Sequence, residues 1–80
     1  MTNIEKYKNA FVAGLELPPE EVKPGLAYQE TVNWDSVGHM ALIAELEDAF
    51  EIVMDTDDII DFSSYEKGLE LLGKYGIVFE

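Results

Sequence analysis

The 80-residue sequence contains no cysteine and no arginine, and its one histidine is His39. Without cysteine there is no disulfide staple, no thiolate ligand and no cysteine nucleophile, so any thiol chemistry has to arrive on a cofactor. One histidine without cysteine leaves no zinc site. Positive charge is scarce: five lysines face 17 acids, for a net charge of -12. A nucleic-acid partner needs a basic footprint that this chain lacks, and an acidic membrane surface is an equally poor partner. No lysine lies between Pro24 and Glu66, the stretch that holds Glu30, Asp35, Glu45, Glu47, Asp48, Glu51, Asp55, Asp57, Asp58, Asp61 and Glu66. Such a single-sign field costs stability through self-repulsion and steers basic partners in quickly. Long apolar runs are missing too. The longest is five residues, Met40 to Ala44, and Met1 to Lys6 has no apolar signal core. No membrane span or secretory leader is indicated, and the expectation is a cytoplasmic chain with no membrane partner.

What is present is an ordinary globular composition, 48% apolar. A chain of this length makes one domain, residues 1–80, and buries only about 60–65% of its unfolded surface. Thr2 and Glu5 form a capping-box pattern, and Ile4, Tyr7, Phe11 and Leu15 share one helical face, predicting a helix over about 3–16 that Pro18-Pro19 ends. Residues 17–34 form an unusually long connection, which Leu17, Val22, Leu26, Tyr28, Val32 and Trp34 are expected to tie to the core. Asp35 suits the N-cap of a second helix over about 36–51. Its inner side carries Leu42, Ile43, Leu46, Ala49, Phe50 and His39; its outer side carries Val37, Ala41, Ala44, Asp48 and Glu51, with Met40 and Glu47 on the shoulder. A short third helix is expected over about 57–61, with Asp55 or Thr56 as cap and Ile59, Ile60 and Phe62 turned inward. Ser63 and Glu66 read as a second capping box, opening a fourth helix that runs to about Lys74 and buries Tyr65, Leu69, Leu72 and Tyr75. Gly76 suits the position just past that helix. The fold expectation is therefore all-α: a four-helix bundle with three main helices and one short one, and a monomer.

The block Trp34-Asp35-Ser36-Val37-Gly38-His39-Met40 stands where the long loop enters the second helix. It places a serine hydroxyl in a first helical turn, beside a carboxylate, where backbone amides lack intrahelical partners and favour an anionic group. Two sharper chemistries compete with ordinary structural roles. A Ser36–His39 dyad has suitable spacing on a helix, but a hydrolase also needs an orienting group, oxyanion donors and a pocket. A histidine tucked beneath the loop is the expectation. Asp55 to Glu66 fails as a calcium loop, because its fifth and sixth positions are Ile59 and Ile60 instead of an oxygen ligand and glycine. Trp34 reads as packing for the loop. The missing side chain of Gly38 is expected to leave room for a modifying enzyme or its product.

From Trp34 to about Ile52, including Leu42-Ile43-Ala44-Glu45-Leu46-Glu47-Asp48-Ala49-Phe50-Glu51-Ile52, the sequence resembles the acyl and peptidyl carrier proteins. The resemblance implies an acyl-carrier-like bundle that is not an enzyme. In it Ser36 carries a 4′-phosphopantetheine arm and Asp35 caps the helix beside it. The arm's thiol holds acyl or aminoacyl intermediates as thioesters. The implied partners are a phosphopantetheinyl transferase, an acyl-activating ligase or acyltransferase, and downstream synthases or transferases with basic docking patches. Val37, Met40, Ala44, Glu47, Asp48 and Glu51 are the implied docking residues. Ala41 departs from the fatty-acid carriers, in which that position is commonly acidic, which argues against a housekeeping role in fatty-acid synthesis, and Ser36-Val37-Gly38-His39 looks more like carriers of dedicated secondary or surface-polymer pathways. Polyketide, peptidyl and D-alanyl cargo stay open. The reading of another class is an acidic helical interaction module without any arm.

Overall fold

The first helix is set by its cap. In the computed structural model, which describes residues 2–79, α1 (Asn3–Leu15) begins where the Thr2 hydroxyl accepts from the Glu5 amide at 3.2 Å and the Glu5 carboxylate accepts from the Thr2 amide at 3.0 Å. α1 stops at Glu16, which takes a left-handed φ of 55°. A residue with a Cβ pays about 1–2 kcal/mol for that conformation. Asn33 offsets part of this cost by donating its side-chain amide to the Glu16 carbonyl at 3.3 Å. Pro18 and Pro19 follow, and a single 3₁₀ turn spans Pro19–Glu21.

The remaining helices are α2 (Ser36–Phe50), α3 (Thr56–Asp61) and α4 (Tyr65–Gly73). Among the described residues there are four α-helices and no strand; Ala27 and Ser64 form an isolated bridge. The molecule measures 30 × 27 × 20 Å. α1 and α2 cross at contact distance, because a Cβ on Gly14 would lie 2.6 Å from the Leu42 Cα. Tyr7, Phe11 and Leu15 from α1, Leu42, Ile43 and Leu46 from α2, and Tyr65, Leu71 and Leu72 from α4 form the core with Phe62 and Met54. Phe11 meets Trp34 edge to face at 5.4 Å and Tyr7 meets Tyr65 at 5.1 Å. No helix among the described residues is long and apolar enough to cross a membrane.

The long connection is tied down, though not by every residue expected. Leu17, Val22 and Trp34 are buried and Leu26 and Tyr28 half-buried, but Val32 is 91% exposed. Backbone bonds do the rest: the Tyr28 amide donates to the Ser63 carbonyl at 2.9 Å, and the Tyr65 amide to the Leu26 carbonyl at 2.8 Å. Glu66 joins them, accepting the Gly25 amide on both carboxylate oxygens at 3.1 Å. Glu66 is therefore not the partner of Ser63. The cap of α4 is Ser64, whose hydroxyl accepts from the Lys67 amide at 3.0 Å. One further expectation fails in this half and one holds only in part. Ile60 is 72% exposed, and Leu71 is buried where Leu69 is only half-buried. Gly76 does close α4: with φ 86° it donates to the Gly73 carbonyl, and Ile77 reaches back to the Leu72 carbonyl. The tail packs back, with Phe79 5.4 Å from Tyr7.

α3 is pinned to the end of α4 by a carboxylate. Asp58 is buried, accepting from the Lys74 ammonium at 2.8 Å and the Tyr75 hydroxyl at 2.7 Å. Those two hydrogen bonds, Lys74 first, hold the Asp58 carboxyl below the ordinary aspartate range. A depressed carboxylate contributes stability that is present above its unfolded pKa, about 3.9, and is lost as pH falls through the folded value. Asp58→Asn should therefore melt below the wild type at pH 7, with the gap closing below about pH 4. A gap of constant size from neutral to strongly acidic pH would contradict this.

Candidate functional site

The site is built on the first turn of α2. Asp35 stays extended, with φ −103° and ψ −170°, and accepts the Gly38 amide on its Oδ1 at 2.8 Å while its carbonyl accepts the His39 amide at 2.7 Å. This is an N-cap in which the side chain satisfies one otherwise unpaired amide. Ser36 follows as the first helical residue and is exposed. The amides of Ser36 and Val37 have no intrahelical partner by position, and they sit at the positive end of the helix dipole.

Gly38 has a different reason from the one expected. A Cβ there would overlap the Asn33 carbonyl oxygen and come within 3.1 Å of Leu15. Its bare Cα lets the loop cross the start of α2, and it faces the protein's own backbone instead of an incoming enzyme.

Beneath Ser36 lies a hydrogen-bonded relay. The buried Trp34 indole donates Nε1–H to Nδ1 of His39 at 3.0 Å, and Nε2 of His39 meets the Ile59 carbonyl at 2.8 Å. Both imidazole nitrogens are engaged, so neither is free to activate Ser36. The ring is half-buried and its plane lies 21° from that of Trp34, with Tyr28 and Phe62 edge-on at 5.5 and 5.9 Å.

The first turn of α2 forms a ridge between two depressions. On one side a cleft of about 320 Å³ is lined by Tyr28, Ser36, His39, Met40, Ile59, Ile60, Phe62 and Ser63. Its wall is mostly apolar. On the other side a hollow of about 350 Å³ is lined by Gly14, Leu15, Glu16, Val32, Asn33, Asp35, Val37, Gly38 and Ala41. Of the six expected docking residues, Val37 (77% exposed), Met40 (57% exposed), Ala44, Asp48 and Glu51 lie open on α2. Glu47 does not. It is half-buried, and its carboxylate accepts the Met54 amide at 2.9 Å, anchoring the link to α3. Glu51 turns the chain out of α2 with φ 55°.

Two residues that the sequence placed inward, Val32 and Ile60, stand instead on the rims of the two depressions. α3 is shorter than two helical turns, so periodicity carries almost no information about which of its residues point out. In comparisons with known proteins, no family model, no curated protein and no solved structure matches this chain.

Proposed function

We propose that this chain is a carrier that holds acyl or aminoacyl groups as thioesters on a 4′-phosphopantetheine arm esterified to Ser36. The observation that carries the reading is the exposed Ser36 hydroxyl at the first position of α2, beside an apolar cleft and on an acid-rich face. The residues present fit such a group. The unpaired amides of Ser36 and Val37 favour a phosphate ester, and Asp35, held on the Gly38 amide, stabilises the turn that presents the hydroxyl. When attached, the arm supplies a terminal thiol that holds a carboxylic acid as a thioester. The rest falls to the chain itself. Ser36 takes the 4′-phosphopantetheinyl group from coenzyme A on a phosphopantetheinyl transferase; its hydroxyl loses a proton to the transferase, a new Oγ–P bond replaces the pyrophosphate bond, and adenosine 3′,5′-bisphosphate leaves. Val37, Met40 and Ala44 give loading and downstream enzymes a shallow apolar contact, and Asp48 and Glu51 meet their basic patches. Exposed charges of this kind favour fast encounter and orientation more than affinity, which suits a carrier that leaves after each step.

The test is intact mass after incubation with coenzyme A, magnesium and a broad-specificity transferase. The wild type should gain one phosphopantetheine, and Ser36→Ala should gain none. A wild type left unmodified by several transferases would sink the carrier reading and favour an acidic interaction module that binds basic partners.

A further inference from the structure

We infer that His39 is a proton-operated latch that holds α3 against α2 and the loop, and so sets the wall of the cleft beside Ser36. The inference does not depend on the carrier reading. It rests on the chemistry of the two partners of one ring. An indole nitrogen only donates and a carbonyl oxygen only accepts. Trp34 at 3.0 Å therefore needs a bare Nδ1, and Ile59 at 2.8 Å needs a proton on Nε2. The neutral Nε2–H tautomer satisfies both at once. A second proton on Nδ1 sets one N–H against another, and the indole it faces is fully buried, with no water to take over as acceptor. Both bonds cannot then be kept.

The Ile59 bond is the one that holds α3 here. Ile59 lies in the last turn of this six-residue helix, where carbonyls have no helical amide ahead of them. His39 supplies the missing donor from α2. When the ring turns away, that carbonyl is orphaned and α3 keeps its tie through Asp58 to Lys74 and Tyr75. The ring's two hydrogen bonds go to Trp34 and Ile59, and the nearby titratable groups are engaged elsewhere. On the loop, Tyr28 stands edge-on to it. On α2, the Asp35 carboxylate is held by the Gly38 amide. On α3, Asp58 is turned to the end of α4. Neither ring nitrogen bonds a carboxylate. Because His39, Ile59, Ile60 and Phe62 all line the cleft, taking up one proton loosens its wall and losing it restores the wall.

Trp34 is the chain's one tryptophan, so the latch carries its own reporter. As the pH is lowered from 8 until the imidazole nitrogen shifts report the second proton, three signals of the wild type should move together with those shifts. They are the Trp34 fluorescence, the indole N–H resonance, and amide exchange over 59–62, which should quicken about tenfold on losing the bond. Imidazole nitrogen shifts at pH 8 should report the Nε2–H form. His39→Gln keeps a donor within reach of Ile59 and cannot titrate, so its signals should stay flat over the same range. A wild type whose exchange and fluorescence stay flat while the imidazole takes up its second proton, a ring protonated on Nδ1 at pH 8, or the same transition in His39→Gln would each overturn the latch. The wild-type measurements decide the matter even if the variant does not fold.

Discussion

Gly68→Ala is expected to remove about half of the stability of the fold, although it replaces the poorer helix former by the better one. On an open helical surface the change should stabilise by about 1 kcal/mol. At Gly68 the added Cβ would overlap the Tyr7 hydroxyl and the Phe62 ring, with Cε1 of Phe62 at 2.8 Å. Neither neighbour has room to withdraw: Tyr7 is 0% exposed and Phe62 is 1% exposed. The Tyr7 hydroxyl is also committed, donating to the Tyr65 carbonyl at 2.6 Å. Overpacking of this kind costs about 1–3 kcal/mol and occasionally more. Displacing the hydroxyl adds about 1–3 kcal/mol for the buried partner it leaves. Against a total of roughly 4–12 kcal/mol for a chain of this length, the loss is about half of what there is. Gly73→Ala, at the far end of the same helix, is the control, because nothing lies within 4 Å of its added Cβ. Urea denaturation should show Gly73→Ala at or above the wild type and Gly68→Ala far below it. A Gly68→Ala protein as stable as the wild type would mean that α4 does not press on Tyr7 and Phe62 as described.

Gly68 also shows where the sequence stops being legible. Capping and periodicity act locally, and they match the structure where they stand alone: Thr2 with Glu5, Asp35 before Ser36, Gly76 after α4, and the Tyr7–Phe11–Leu15 and Leu42–Ile43–Leu46 faces. Each of these depends on residues within about one or two turns. The errors fall where a distant partner decides. Glu66 has the right spacing to complete a capping box with Ser63, but the Gly25 amide claims its carboxylate from across the chain. Glu47 looks like a surface acid until Met54 folds back to it. Asp58 looks like one more acid in a run, and is buried because Lys74 and Tyr75 come to meet it. Gly38 reads as room for a modifying enzyme, and is a gap that the Asn33 backbone fills; Gly68 gives no signal in the sequence, and is a gap that Tyr7 and Phe62 fill. Of the candidate site, the exposed serine and its cap were visible in the sequence. The cleft beside them was not, because its far wall comes from α3, whose orientation is fixed by His39 and Asp58.

Trp34→Ala should be about as damaging as Gly68→Ala, and dissecting it tells packing apart from hydrogen bonding. The side chain is fully buried and touches Phe11, Tyr28, His39 and Phe62 from the loop side of the core. Truncating a buried aromatic to alanine costs about 3–5 kcal/mol, nearly all of it lost contact and cavity. Trp34→Phe keeps much of that volume and removes the N–H, leaving Nδ1 of His39 without its donor. If packing alone mattered, Trp34→Phe would cost little and the cost would be independent of residue 39. The relay predicts otherwise. Trp34→Phe and His39→Gln each break the same bond, so the double variant should be less destabilised than the sum of the singles by about 1 kcal/mol, within the range measured for directly bonded pairs. Strict additivity in thermal or urea melts would reduce the relay to two side chains that happen to touch. Coupling of the expected sign would show that the loop, α2 and α3 are joined through one imidazole, so that the wall of the cleft and the burial of the loop stand or fall together.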